Sequence, residues 1–201
     1  MNRTDTAVTT QIVDLIPKHA KVLDLGCGEG TLLNALIQKK EIQGYGIEID
    51  HEKVTSCVKK GLSVFQGNLD EGLSGFSEQF YDVVILSLTL QQVRDPKLVL
   101  REMLRIGKKA IITFPNFAHL SCRLQLLRGR IPQSRELPYS WHDTPNIRVI
   151  SIHAFKQLCE ENQITILKEI PLFKPTLFNT LFSPIFPNLC CEKGMFVIQS
   201  N

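Results

Sequence analysis

The chain has 201 residues, 43% of them hydrophobic, and a net charge of +3. That length supports one generous globular domain whose core needs no disulfide, and so small a charge argues against nucleic acid as a partner. No apolar run suits a signal peptide or a membrane span, so we expect a cytoplasmic protein with no membrane partner. The stretch 172–189 is rich in Phe and Leu, but Lys174 and four prolines interrupt or flank it.

In chain order, strands and helices alternate. Residues 10–16 read as a short helix stopped by Pro17, and 21–25 as an apolar strand that runs into a glycine loop. Leu32, Leu33, Leu36 and Ile37 have helical spacing and predict a helix over 31–40. A second strand follows at 43–49, a helix at 52–60 ended by Gly61, and a short strand at 63–66. The run YDVVILSL, 81–88, is apolar on both faces, as in a buried parallel sheet. Asp95 and Pro96 mark a helix start, and 109–114 is a fifth strand closed by Pro115.

After Pro115 the rhythm changes, since 116–150 is longer than an ordinary connection. It holds a predicted helix at 120–127 and then a long loop. Ser151 caps a helix to Glu161, and 164–169 and 195–199 are the last strands, suited to an antiparallel pair. This alternation implies βαβ units and a mainly parallel sheet. We therefore divide one domain into a core (1–115), an insert or lid (116–150) and a C-terminal part (151–201).

The six cysteines form no CxxC pair, and no His lies near them at zinc spacing, so no metal site is expected. They read as reduced, half-buried residues. Arg123, Arg128, Arg130 and Arg135 are the one basic concentration and read as a solvated helix face and loop.

The chemistry is carried by VLDLGCGEG, 22–30. Gly26, Gly28 and Gly30 allow a tight turn and close approach of backbone to ligand, and the following helix start suits a carboxylate or phosphate. The spacing is G-x-G-x-G, with Thr31 where the third glycine of the dinucleotide fingerprint would fall. Asp24, just before the loop, would repel a pyrophosphate but suit an ammonium or sulfonium. Both features disfavour a nicotinamide cofactor and favour S-adenosyl-L-methionine. Glu48, ending the second strand, can accept ribose hydroxyls, and Asp50 reads as the cap of the next helix.

This stretch resembles motif I of class I S-adenosylmethionine-dependent methyltransferases, and Glu48 matches the acidic residue of motif II. The resemblance implies a Rossmann-like class I methyltransferase fold: a seven-stranded, mainly parallel sheet, helices on both faces and an insert after the fifth strand. It implies that Asp24, Gly26, Cys27, Gly28, Gly30, Glu48 and Ile49 line the cofactor, S-adenosyl-L-methionine or S-adenosyl-L-homocysteine. QGNLDEGL, 66–73, resembles the adenine-binding motif with Asn68 where many members carry Asp; Asn68 would accept from the adenine amino group and Leu69 would wall the ring. Ser87 and Leu88 should border the sulfonium. The Asp/Asn-Pro-Pro-Tyr signature of amino-group methyltransferases is absent, and the catalytic residues are unassigned. His119, Tyr139, Trp141, His142 and Asp143 read as packing of the insert rather than as a lid carrying a base.

Several stretches together are similar to one family, the methionine biosynthesis protein MetW: TLQQVRDP, RLQLLRGRIP, WHDTPNIR and PNLCCEKGMFVI. The resemblance implies a partner, homoserine O-acyltransferase (MetX), whose activity the protein supports. The alternative is a catalytic methyltransferase acting on a small molecule or a protein. Phe178, Phe182 and Phe186 could form an interface patch; we expect them instead to cover the sheet.

Overall fold

The computed structural model describes residues 3–134, 137–173 and 185–200. Seven strands form one sheet: β1 (Lys21–Leu25), β2 (Gln43–Glu48), β3 (Ser63–Gln66), β4 (Tyr81–Ser87), β5 (Gly107–Pro115), β6 (Ile164–Leu172) and β7 (Lys193–Ser200). Their order is β3-β2-β1-β4-β5-β7-β6. The β1–β2, β1–β4 and β2–β3 pairs are parallel, and Asp24 lies opposite Gly46 on one side and Ile85 on the other. The order reverses at β1, which places a crevice at the carboxyl ends of β1 and β4.

The chain divides into two units by internal packing. Unit 1 comprises residues 1–87 and 95–111. Its core is built on the doubly buried strands predicted from their apolar runs; Val22, Leu23, Leu25, Val84, Ile85 and Leu86 are fully buried. Four helices belong to it: α1 (Arg3–Leu15), α2 (Thr31–Lys40), α3 (His51–Lys59) and α4 (Pro96–Ile106). Helix α1 begins at Arg3 rather than Thr10, because Val8, Ile12, Val13 and Ile16 bury one stripe and packing overrides the weak propensity of its threonines. Asp50 caps α3 by accepting from Glu52 N and Lys53 N, and Asp95 caps α4 by accepting from Leu98 N. Val99, Leu100, Met103 and Leu104 of α4 are buried. On its polar side, Arg105 donates to Glu102 (2.8 Å) and to the carbonyls of Leu73 and Phe76 (both 2.9 Å), which holds the loop after β3.

Unit 2 comprises residues 88–94 and 112–199, with helices α5 (Leu120–Leu127), α6 (Ile152–Glu161) and α7 (Pro187–Cys190). Its core is a cluster of Phe114, Phe155 and Phe196, with ring centroids 4.8 to 5.9 Å apart. Each such ring pair contributes about 0.5–1.5 kcal/mol beyond simple burial. The last two strands lie side by side as expected, but β7 takes the inner place and β6 the edge. Pro171 explains part of that choice: it offers no N–H, and an edge strand tolerates the loss. Two motifs distant in sequence meet here. The Gln91 carbonyl of TLQQVRDP accepts from Ile147 N (2.9 Å) and Arg148 N (3.0 Å) of WHDTPNIR.

Candidate functional site

Asp24 stands near the end of β1 in unit 1 and is only 2% exposed. Burial, with a smaller contribution from the nearby Glu48, pushes its pKa up to about 7. A buried carboxylate so placed holds a proton or seeks a cation.

The loop after it turns on glycines in the left-handed region: Gly26 (φ 68°), Gly28 (φ 57°) and Gly30 (φ 74°). Gly30 is called for by its positive φ, and a Cβ there would sit 2.3 Å from Leu62 Cδ1 and force that side chain to shift. At Gly28 a Cβ would meet nothing within 4 Å, so the loop backbone is open there. Gly30 also begins α2 without any side-chain cap, which leaves the helix N-terminus open to an anion.

Glu48 is buried and fixed by three backbone donors: Gly28 N to Oε2 (2.8 Å), and Ile49 N and Asp50 N to Oε1 (both 3.0 Å). It thus latches the glycine loop to the end of β2. A carboxylate has about four acceptor positions, so one further donor fits without rearrangement. Beside it, the Ile49 side chain is 62% exposed, an apolar surface that the strand end presents to solvent.

Asn68 lies beyond β3, where its Oδ1 accepts from Asp70 N and its Nδ2 donates to Glu71 Oε1 (both 3.1 Å). Its carboxamide therefore caps a 3-10 turn over 69–71. Leu69 is buried. Leu88, just past β4, has φ 55°, and its N–H donates to the Thr113 carbonyl (3.0 Å).

A cavity of about 500 Å³ opens beside the glycine loop at the end of β1. Of the expected site residues, Asp24, Gly26, Cys27 and Ser87 line it; Gly28, Gly30, Glu48, Ile49, Asn68 and Leu69 do not. Thr9, Glu29, Thr31 and Leu32 also line it and were missed. Thr31 and Leu32 could have been found, since they open the helix after the loop. Thr9 could not, because α1 carries no motif. Among the described residues no cluster of His, Cys, Asp or Glu suits a metal, and no helix is long and apolar enough to cross a membrane.

The six cysteines are free and buried rather than half-buried. Cys27 faces the cavity, and its thiol is pushed up by burial and by the carboxylate of Asp24. The packing reading of the insert residues needs correction, since Trp141 is 74% exposed and Tyr139, His142 and Asp143 are also exposed. The loop 137–150 has no regular structure to bury them. His119 does act locally: its Nδ1 caps α5 by accepting from Ser121 N. Phe178 and Phe182 lie outside the described residues; Phe186 is exposed.

Strand order, switch-point crevice and glycine loop define a Rossmann-like class I methyltransferase fold. The chain is similar in structure to an S-adenosylmethionine-dependent methyltransferase from Mesorhizobium loti (TM-score 0.69, 14% identity, covering 97% of this chain and 99% of that one). It is also similar to the cyclase SpnF (TM-score 0.68, 13% identity, covering 96% and 80%). The chain belongs to the family of the methionine biosynthesis protein MetW, whose pattern it matches over residues 3–198. A relative in Rhodopirellula baltica, the bifunctional methionine biosynthesis protein MetXA/MetW, is 36% identical over 169 residues. The match covers 79% of this chain and 27% of that protein, so the chain spans about a quarter of it.

Proposed function

We propose that this chain binds S-adenosyl-L-methionine, or S-adenosyl-L-homocysteine, in unit 1, and that it binds and activates homoserine O-acyltransferase (MetX) in methionine biosynthesis. The observation that carries the partner reading is the fused relative, in which MetXA and MetW share one chain. A fusion holds two activities at high effective concentration, and separate chains achieve the same end by binding. In this reading residues 116–150 are an insert on a single methyltransferase-like domain and the protein works in the cytoplasm.

The chemistry of the cavity suits the cofactor. The Asp24 carboxylate would face the ammonium of the methionine moiety, and the uncapped start of α2 would receive its carboxylate. Glu48 would take one ribose hydroxyl as it stands, and the second once the Gly28 N–H lets go. Ile49 would cover the adenine, with Leu69 and the Asn68 turn at the ring's edge. Ser87 would border the sulfonium. The cofactor would supply an activated methyl group or, in a sensor, report the level of the pathway's downstream product.

Catalytic methyl transfer is the second reading, favoured by the open cavity beside Ser87. Transfer to a good nucleophile needs mainly alignment, so the absence of an assigned base does not weigh against it. The likeness in fold to a cyclase weighs against reading chemistry from the fold alone.

Pull-down and activity assays with the purified acyltransferase, with and without S-adenosyl-L-methionine, separate the two. We expect a stable complex and higher acyltransferase activity. No complex, together with methyl turnover on a metabolite, would reverse the order. Calorimetry tests the pocket: Asp24→Ala and Glu48→Ala should each weaken cofactor binding, and unchanged affinity in both removes the assignment.

A further inference from the structure

Unit 2 carries an apolar and basic face that the cofactor cavity does not use. Among the described residues, eight of the fifteen exposed large hydrophobic side chains lie between 124 and 149. Helix α5 buries only Cys122, and Leu127 is 83% exposed. The sequence adds charge to this face. Residues 116–150 hold five arginines against two acidic residues, a surplus of three that equals the +3 of the whole chain. The remainder of the protein is therefore balanced in formal charge.

The face also has a hole. A cavity of about 330 Å³ is lined by the polar side chains of Arg123, His153 and Lys156 and by the apolar ones of Ile185, Phe186 and Leu189. Lys156 is already paired with Glu169. Arg123 belongs to α5, so the exposed helix contributes to the cavity, and its Nε donates to the Ala118 carbonyl (2.7 Å), which fixes the guanidinium. Apolar side chains beside the Arg123 guanidinium suit an apolar side chain flanked by carboxylates. On α5, Arg123 shares a face with Leu127, and Leu124 with the following Arg128, by i,i+4 spacing. Membrane-surface helices segregate basic from apolar residues; Arg, Tyr and Trp together are the residues enriched at protein interfaces.

We propose that this face docks an acidic segment of homoserine O-acyltransferase, with one large apolar side chain in the cavity and flanking Asp or Glu residues against Arg123, Arg128 and Arg130. The inference rests on the partner reading above and gives that partner a landing site. The experiment is calorimetric titration of the purified acyltransferase into wild type, Leu127→Asp and Arg123→Glu. Val58→Asp, an exposed site in unit 1, is the control. We expect each of the two face variants to weaken the complex about tenfold or more, the control to bind as wild type, and all four to melt alike. Their affinity for S-adenosyl-L-homocysteine should be unchanged. If wild type binds and both variants bind equally well, the face is wrong while the partner reading stands. If wild type does not bind, both fall. If Leu127→Asp instead abolishes self-association, or binding to phosphatidylserine vesicles, without affecting the acyltransferase, the face belongs to that other occupant.

Discussion

Asp24 has its proton affinity set by its place in the fold. Burial beside Glu48 lifts its pKa from 3.8 to about 7, so the folded state holds this proton more tightly than the unfolded state does. Stability from this group is therefore fully present below pH 3.8 and is lost as pH rises to about 7. Asp24→Asn has no such titration. Its melting temperature should gain on wild type between pH 4 and pH 8, as differential scanning calorimetry would show. A cationic ligand needs the ionised form, so affinity for S-adenosyl-L-methionine should fall by about tenfold per pH unit below 7. A flat affinity profile would mean that Asp24 does not face the cation.

At the scale of elements, the glycine loop and α2 separate fold from binding. Gly30→Ala puts a methyl 2.3 Å from Leu62 Cδ1 and 2.9 Å from Cys57 Sγ, at φ 74°. We expect a loss of about 2–4 kcal/mol in urea unfolding, from left-handed strain and overpacking together. Gly28→Ala, at φ 57° with open space around it, should lose only about 1–2 kcal/mol and act mainly on ligand affinity. Helix boundaries at α2 and α4 were legible because caps and breakers are local: Gly30 starts α2, and Asp95 and Pro96 start α4. The start of α1 was not, because its threonines are poor helix formers and the burial of Val8 and Ile12 decides the matter.

For the molecule as a whole, ligand binding and stability are linked. A ligand that binds only the folded state at a hundred times its Kd adds about 2.7 kcal/mol, or about 5–10 °C for a chain of this size. S-adenosyl-L-homocysteine should raise the melting temperature by that amount and NADH should not. An equal response to both would show that the G-x-G-x-G loop does not discriminate.

The alternation of strands and helices, the glycine turn, and the placing of Asp24 and Glu48 at strand ends were legible in the sequence. Each of these follows from neighbours a few residues apart, through side-chain period, φ preference and capping. Long-range packing brought Thr9 to the cavity, set β7 inside β6, and stitched TLQQVRDP to WHDTPNIR. It also decided that Trp141 faces outward and that the Asn68 carboxamide is engaged by its own turn. These depend on contacts between residues far apart in the chain, and on what remains uncovered after the core closes. Neither is written in any local pattern.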